Sequence, residues 1–347
     1  MKSKQIFISI LAVLFVFPMM VTFAQQAPDS VSIRVITTFD YPGTGNLTQP
    51  QKINDGGDIV GIYLDPNLVQ RGFVRFNNGS FSAPIVEPND TGNVTQARGI
   101  NNSRTVCGDY IGSDSVDHGY FLSGGTFTEY NVPGAIGTVN LGINNVGDFV
   151  GGFSDNTGIF QAFVSLGGTV TPFSVPGDTS MFADQLNRSN QVVGYYTDSS
   201  GTAHGYYRDS DGTLHFPIDP PGSAATILFG LNDSNWVVGR FADSSGVTHG
   251  LFLLPPDTFF TFDYPGSTFT SLNGINAHGF ICGRYTDASG IDHGILAHVT
   301  GVPRTNEADT EIKWNESPSP VTPLNPPSLS RPVSPSLSAW GDEIPAR

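Results

Sequence analysis

Cysteine is nearly missing from this chain: Cys107 and Cys282 are the only two in 347 residues. A disulfide-stapled scaffold and a metal site built on cysteine pairs are therefore excluded. Charge is sparse too. Asp, Glu, Lys and Arg make up 14% of the chain, and 16 cations face 31 acids, for a formal net charge of −15. Phosphate backbones and anionic lipid repel an acidic chain, which excludes nucleic acid as a partner. After residue 24 no apolar run approaches the ~20 residues of a spanning helix, so no membrane insertion is expected. Also missing are the Gly-x-Ser-x-Gly elbow, His-Glu-x-x-His, the phosphate loop and the dinucleotide fingerprint. What is plentiful is turn and strand: 41 Gly and 25 Pro among many Val, Ile, Phe, Tyr and Thr, an all-β composition.

The two ends read differently from the middle. Lys2 and Lys4 precede an apolar run from Ile6 to Val21, and Thr22-Phe23-Ala24 offers small residues for cleavage. Residues 1–24 are expected to be a signal peptide, followed by a short leader over 25–32. Losing Lys2 and Lys4 takes the net charge from −15 to −17. The protein is expected to be secreted or extracellular in a bacterium, with association to the cell surface as a variant of that reading. From Pro303 to Arg347 there are nine prolines in 45 residues. Such a stretch buries too little apolar surface to offset its ordering entropy, so 303–347 is expected to be a disordered Pro/Ser-rich tail.

Between these ends the chain repeats itself six times. Asn54, Asn101, Asn144, Asn187, Asn232 and Asn276 are each followed seven residues later by glycine: Gly61, Gly108, Gly151, Gly194, Gly239 and Gly283. The intervals are 47, 43, 43, 45 and 44 residues, the length of one supersecondary unit used many times. In unit 6 the pattern predicts strands over Thr268 to Ile275, Phe280 to Tyr285 and His293 to Val299. Earlier units add a fourth strand ending in Pro-Gly, such as Phe127 to Gly134 and Thr258 to Gly266. The second strand is apolar on both faces and carries an aromatic two residues after the glycine, so it is expected to be sandwiched between sheets. Unit 6 has no fourth strand of its own. Its counterpart stands at the other end, where Phe39-Asp40-Tyr41-Pro42-Gly43 nearly duplicates Phe262-Asp263-Tyr264-Pro265-Gly266. The expected fold is therefore all-β: a six-bladed β-propeller of four-stranded blades over 33–302, its ring closed by the N-terminal strand. In such a ring Cys107 and Cys282 lie in units 2 and 6, too far apart for a disulfide, and both are expected to be free buried thiols.

The phrases Gly274-Ile275-Asn276-Ala277-His278-Gly279, Val237-Val238-Gly239 and His204-Gly205-Tyr206 resemble the HAF-type repeat of bacterial extracellular proteins. The resemblance covers roughly residues 37 to 302. It breaks at Arg71 in unit 1, where His is expected, and at Gln161-Ala162 in unit 3, where His-Gly is expected. It implies export and supports the repeat fold.

Two sets of residues could carry chemistry. Asp198 and His204, Asp243 and His249, and Asp287 and His293 flank the second turn of units 4, 5 and 6. A carboxylate–imidazole pair can do acid–base work or hold a metal. A catalytic pair is needed once, however, whereas a folding device is needed in every unit, so these six are read as structural turn residues. The second set is where the copies differ. Three residues before the repeat Asn stand Gln51, Arg98, Leu141, Asp184, Phe229 and Asn273. Of these, Gln51, Arg98, Asp184 and Asn273 are the candidate binding residues at the channel mouth. Six residues before the Asn, Thr48, Thr95, Thr138, Met181, Thr226 and Thr270 are expected to form a polar ring lining the channel. The expected function is a non-catalytic binding or interaction module, for a glycan or an extracellular protein partner, working as a monomer with no cofactor. The alternative is a hydrolase or lyase for sugars or lactones, with a divalent cation such as Ca²⁺ held by channel-mouth groups including Asp184.

Overall fold

The structure, a computed structural model, describes residues 31–302. The signal segment over 1–24, most of the leader and the tail over 303–347 lie outside the described residues. Among the described residues there are 23 strands and no helix. Each repeat forms an antiparallel meander. In unit 3, Gly137–Ile143, Phe149–Ser154, Phe160–Leu166 and Thr169–Phe173 pair side by side in chain order. Units 2 and 4 form four-stranded sheets in the same way. Units 5 and 6 join into one eight-stranded sheet, because Thr248 and Phe269 make a single parallel bridge between them. Ser32–Phe39 belongs to this sheet and pairs with Asp292–Thr300, from Ser32 opposite Thr300 to Phe39 opposite Gly294.

Two details differ from the sequence expectation. The fourth strands stop early, at Glu129, Phe173, Ile218 and Phe262, short of the Pro-Gly turns. Unit 1 has three strands, and Phe81 and Ile85 touch the third only through isolated bridges to Arg75 and Gly72. Pro84 sits between those bridges and has no N–H to give to a continuous ladder.

The core lies between sheets. Val60 and Val74 of unit 1 pack against Ala97, Ile100 and Val106 of unit 2. Val193 and Tyr207 of unit 4 pack against Leu228, Leu251 and Leu253 of unit 5. Ile53 and Ile59 of unit 1 pack against Cys282 of unit 6, so the first repeat touches the last. Burying both faces of each sheet in this way yields an all-β propeller. Cys107 and Cys282 are free and buried, and burial pushes both thiols up to about 12.

One device explains the recurrent Asn and Gly together. The first strand of every unit bulges at the residue three before the Asn: Gln51, Arg98, Leu141, Asp184, Phe229 and Asn273. The bulge drives a main-chain carbonyl toward the second strand. The repeat glycine receives it. A Cβ on Gly108 or Gly151 would lie 1.9 Å from the oxygen of Gln96 or Val139, and one on Gly194 would lie 2.0 Å from that of Phe182. No other residue fits there. In units 2 and 4 a buried tyrosine hydroxyl donates to the same carbonyl, Tyr120 to Gln96 at 3.0 Å and Tyr206 to Phe182 at 2.9 Å.

Candidate functional site

The repeat asparagines form a collar where the first strands end. Each Nδ2 donates to the main-chain oxygen of the next asparagine. The series runs Asn54 to Asn101 (3.2 Å), Asn101 to Asn144 (3.3 Å), Asn144 to Asn187 (3.5 Å), Asn187 to Asn232 (3.4 Å), Asn232 to Asn276 (3.0 Å) and Asn276 back to Asn54 (3.0 Å). Each Oδ1 accepts from the N–H four residues on, at 2.9 Å for Asp58 and 3.0 Å for Trp236, which shapes the turn. All the polar atoms of the collar are thus committed to the scaffold.

The residues just after the collar are not uniform. They are Asp55, Asn102, Asn145, Arg188, Asp233 and Ala277, and they rim the mouth of the ring. Four of their main-chain N–H groups donate to a neighbour's side chain: Asp55 to Asn102, Asn102 to Asn145, Arg188 to Asp233, and Ala277 to Asp55, at 2.8–3.0 Å. The circuit breaks where Arg188 and Ala277 offer no acceptor. Asp55 also accepts from Asn102 Nδ2 at 2.7 Å, and Arg188 Nε lies 3.8 Å from Asp233. Below this rim Ile53, Ile100, Ile143, Leu186, Leu231 and Ile275 give an aliphatic lining to a depression of about 60 Å³. That space holds about two waters. The rim presents amides, carboxylates and a guanidinium, 75% exposed in the case of Arg188. Sequence reasoning passed over this ring. The signal was present, because the position after each Asn varies while the Asn does not.

The four residues expected at the mouth lie deeper, in the inner-strand bulges, and none lines the depression. Gln51, Asp184 and Asn273 are buried. Asn273 Nδ2 donates to Pro50 O at 2.7 Å, tying unit 6 to unit 1. Arg98 Nε donates to Asp109 at 3.3 Å. Asp184 exerts its charge on Lys52 of unit 1, a buried lysine the sequence reading did not single out; burial lowers its pKa and Asp184 raises it. The expected polar ring of threonines does not line the channel. Thr48, Thr95, Thr138, Thr226 and Thr270 are fully buried. Four of these hydroxyls accept main-chain N–H groups from the preceding inter-unit loop: Tyr41 and Thr48, Glu87 and Thr95, Val132 and Thr138, Tyr264 and Thr270, at 3.0–3.1 Å. Each of these four threonines fastens one unit to the next.

The Asp–His pairs lie on the opposite face, since the second turn runs opposite to the first in a meander. Each histidine sits between two carboxylates. His204 Nδ1 is 2.6 Å from Asp219 and Nε2 is 3.5 Å from Asp198. His249 lies 2.9 Å from Asp263 and 3.5 Å from Asp243, and His293 lies 3.0 Å from Asp40 and 3.5 Å from Asp287. Their rings pack on Tyr196, Phe241 and Tyr285, the aromatics two after the repeat glycines. His118 repeats the theme in unit 2, with Asp114 at 3.0 Å, Glu129 at 3.5 Å and the Asn131 amide at 3.1 Å. The turn acids bond first to their own loops. The Ser200 and Ser245 hydroxyls and the N–H groups of Thr202 and Val247 bring Asp198 and Asp243 down to about 2. For His249, desolvation opposes the charged form, but Asp263 and Asp243 outweigh it and the pKa is raised. The arrangement ties the second turn to the loop leaving the fourth strand.

No family model matches the chain, and no curated protein matches it. Solved structures do. TolB from Acinetobacter baumannii superposes with a TM-score of 0.49 at 11% identity, over 71% of this chain and 65% of TolB, so the chain spans less than two thirds of that protein. A mutant of AofleA from Arthrobotrys oligospora gives 0.49 at 11% identity, over 79% of this chain and 90% of that one. The Aleuria aurantia lectin in complex with Fucalpha1-6GlcNAc gives 0.48 at 12% identity, over 75% and 99%. Likeness at this level carries no ligand across.

Proposed function

We propose that this protein is an exported, monomeric binding module with a HAF-like repeat, whose axial mouth recognises a glycan. The ring is read as six blades, with Ser32–Phe39 completing the last. The asparagine circuit through all six units and back supports that count. The observation that carries the functional reading is the rim. Uniform collar asparagines are spent on the scaffold, whereas Asp55, Asn102, Asn145, Arg188 and Asp233 stand above them with the donors and acceptors that sugar hydroxyls need. Size favours binding over catalysis. A depression of about 60 Å³ is far below the ~300–1,000 Å³ of pockets that enclose a ligand. It suits the edge of one sugar presented at a surface.

The cation-dependent hydrolase has less support. Among the described residues no group of three His, Cys, Asp or Glu side chains could hold a metal ion. The test is a glycan array followed by calorimetric titration of the best hit. Arg188→Ala and Asn102→Ala are each expected to weaken binding by about tenfold, the loss of one good hydrogen bond, with the melting temperature unchanged. A glycan whose affinity ignores both changes but falls with Asp243→Asn would move the site to the other face and sink the proposal.

A further inference from the structure

The rim bonds run from one unit to the next, each main-chain N–H donating to the following unit's rim side chain. Two N–H groups are left over. For Asn145 the following residue is the guanidinium of Arg188, and for Asp233 it is the methyl of Ala277, neither of which accepts. Neither N–H takes a partner among the described residues. The second break is the open one, because only a methyl group stands there and both Asp233 and Ala277 are exposed. Arg188, Asp233 and Ala277 belong to units 4, 5 and 6, so one sector of the mouth carries a cation, a carboxylate beside an idle N–H, and a gap. Asp233 Oδ1 accepts the Arg188 N–H at 2.8 Å. Its Oδ2 lies 3.8 Å from Arg188 Nε, beyond hydrogen-bond reach, and keeps room for a donor.

Below this sector the depression turns apolar. Leu231 and Ile275 line it two residues before Asp233 and Ala277, and the other four units add only Ile or Leu at that place. A sugar hydroxyl lowered onto such a floor gives up its water and finds no partner. A methyl group gives up nothing and displaces poorly bonded water. The depression of about 60 Å³, room for about two waters, takes a methyl and the carbon that bears it.

We infer that this sector is a subsite for an acetamido group, so that the glycan bound at the mouth is one carrying an N-acetylated sugar. The acetyl methyl enters the aliphatic depression. The carbonyl oxygen accepts from the Asp233 N–H and the Arg188 guanidinium, and the amide N–H donates to Asp233 Oδ2. The apolar, donor and acceptor parts of the group thus each meet a counterpart at one edge of the ring. An acidic sugar fits less well, since Asp55 and Asp233 outnumber Arg188 on the rim. A 6-deoxy sugar fills the floor but leaves the Asp233 N–H without a partner.

The inference rests on the reading of the mouth as a glycan site, and the experiment separates the two. Methyl N-acetylglucosaminide and N-acetylgalactosaminide, their parents with a hydroxyl at C2, and methyl fucoside are titrated into the folded chain by calorimetry and saturation-transfer NMR. The acetamido sugars are expected to bind about tenfold tighter than their parents, because burying one methyl and making one amide hydrogen bond each bring a severalfold gain. The acetyl methyl should receive the strongest saturation, and an N-butanoyl analogue should lose the preference by outgrowing the depression. Ala277→Asn supplies the acceptor that Asn102 and Asn145 supply elsewhere on the rim. It should erase the preference at unchanged melting temperature and leave the affinity of the parent sugars as it was. Equal affinity for parent or 6-deoxy sugars, still weakened by Arg188→Ala, would overturn the acetamido subsite and spare the rim. A preference that survives Ala277→Asn would overturn it too. Binding of no sugar at all would sink both.

Discussion

Asn232→Ala tests the collar most directly. Asn232 is 3% exposed and makes three bonds at 3.0 Å: Nδ2 to Asn276 O, and Oδ1 from the N–H groups of Ser234 and Trp236. Each bond contributes about 0.5–1.5 kcal/mol net, and a buried group left unpaired costs about 1–3 kcal/mol. Ser234 is exposed and its N–H can turn to water, whereas the carbonyl of Asn276 lies within the collar. The expected loss is therefore about 2–4 kcal/mol. Asn232→Asp separates the parts, since it keeps the two turn bonds and sets a carboxylate against the Asn276 carbonyl. It should cost at least as much as the alanine above pH 5, and less at pH 3 where a protonated acid can donate. Guanidinium unfolding followed by fluorescence and circular dichroism reads both. A double cycle adds the geometry. Asn232→Ala with Asn276→Ala should be non-additive because the two share a bond, whereas Asn232→Ala with Asn101→Ala should add. A cost below about 0.5 kcal/mol for Asn232→Ala, or additivity of the bonded pair, would refute the collar as a stabilising circuit.

Other expectations follow from the same geometry. Gly194→Ala puts a Cβ 2.0 Å from Phe182 O and should abolish soluble folding, whereas Gly201→Ala, at φ +86 with nothing within 4 Å, should cost only about 1 kcal/mol of backbone strain by thermal melt. His249→Gln should narrow stability on one side only. The raised pKa of His249 means its contribution is complete below its unfolded value near 6.5 and fades as pH rises through the folded value. Asp198 and Asp243, lowered to about 2, act in the opposite sense: their contribution is complete above about pH 4 and is lost as pH falls toward 2. Melting temperatures of wild type and His249→Gln should therefore differ most near pH 5 and converge above pH 8, and a constant gap would contradict the assignment. Thr270→Val, which removes the hydroxyl that accepts the Tyr264 N–H, should lower stability by about 1–2 kcal/mol with the melt still cooperative.

The period of the repeat and the displaced Phe-Asp-Tyr-Pro-Gly strand were legible in the chain because both are statements about order along it. Ser32–Phe39 indeed lies beside Asp292–Thr300. The bulges were not legible. A bulge is a mismatch between two strands, and Gln51, Arg98, Leu141, Asp184, Phe229 and Asn273 share no residue type that would announce one. Once it is overlooked, every side chain beyond it is assigned to the wrong face. That is why the threonines were placed in the channel although they are buried between units, and why the variable ring was placed at the mouth although it lies in the wall. The histidines were legible in kind but half seen. Asp198, Asp243 and Asp287 are near in sequence, whereas the second acids, Asp219, Asp263 and Asp40, come from the loop after the following strand or from the other end of the chain.

Repetition also separates the two parts of the candidate site. A collar bond must be made six times, and each asparagine must both give and receive, so its identity is constrained by both neighbours. A rim residue need satisfy only a neighbour's exposed N–H, which water can do equally well. The rim is therefore free to diverge without cost to the fold, and it has: two carboxylates, two amides, one guanidinium and one methyl group stand at six equivalent places. Lys52 follows a different rule. It occupies a place where glycine relieves contact between inner strands, so its side chain is carried against the packing, with burial depressing its charge. Divergence on the rim requires only tolerance. Lys52 has no such freedom, because its stem must fit between inner strands at a place that glycine holds in four other units.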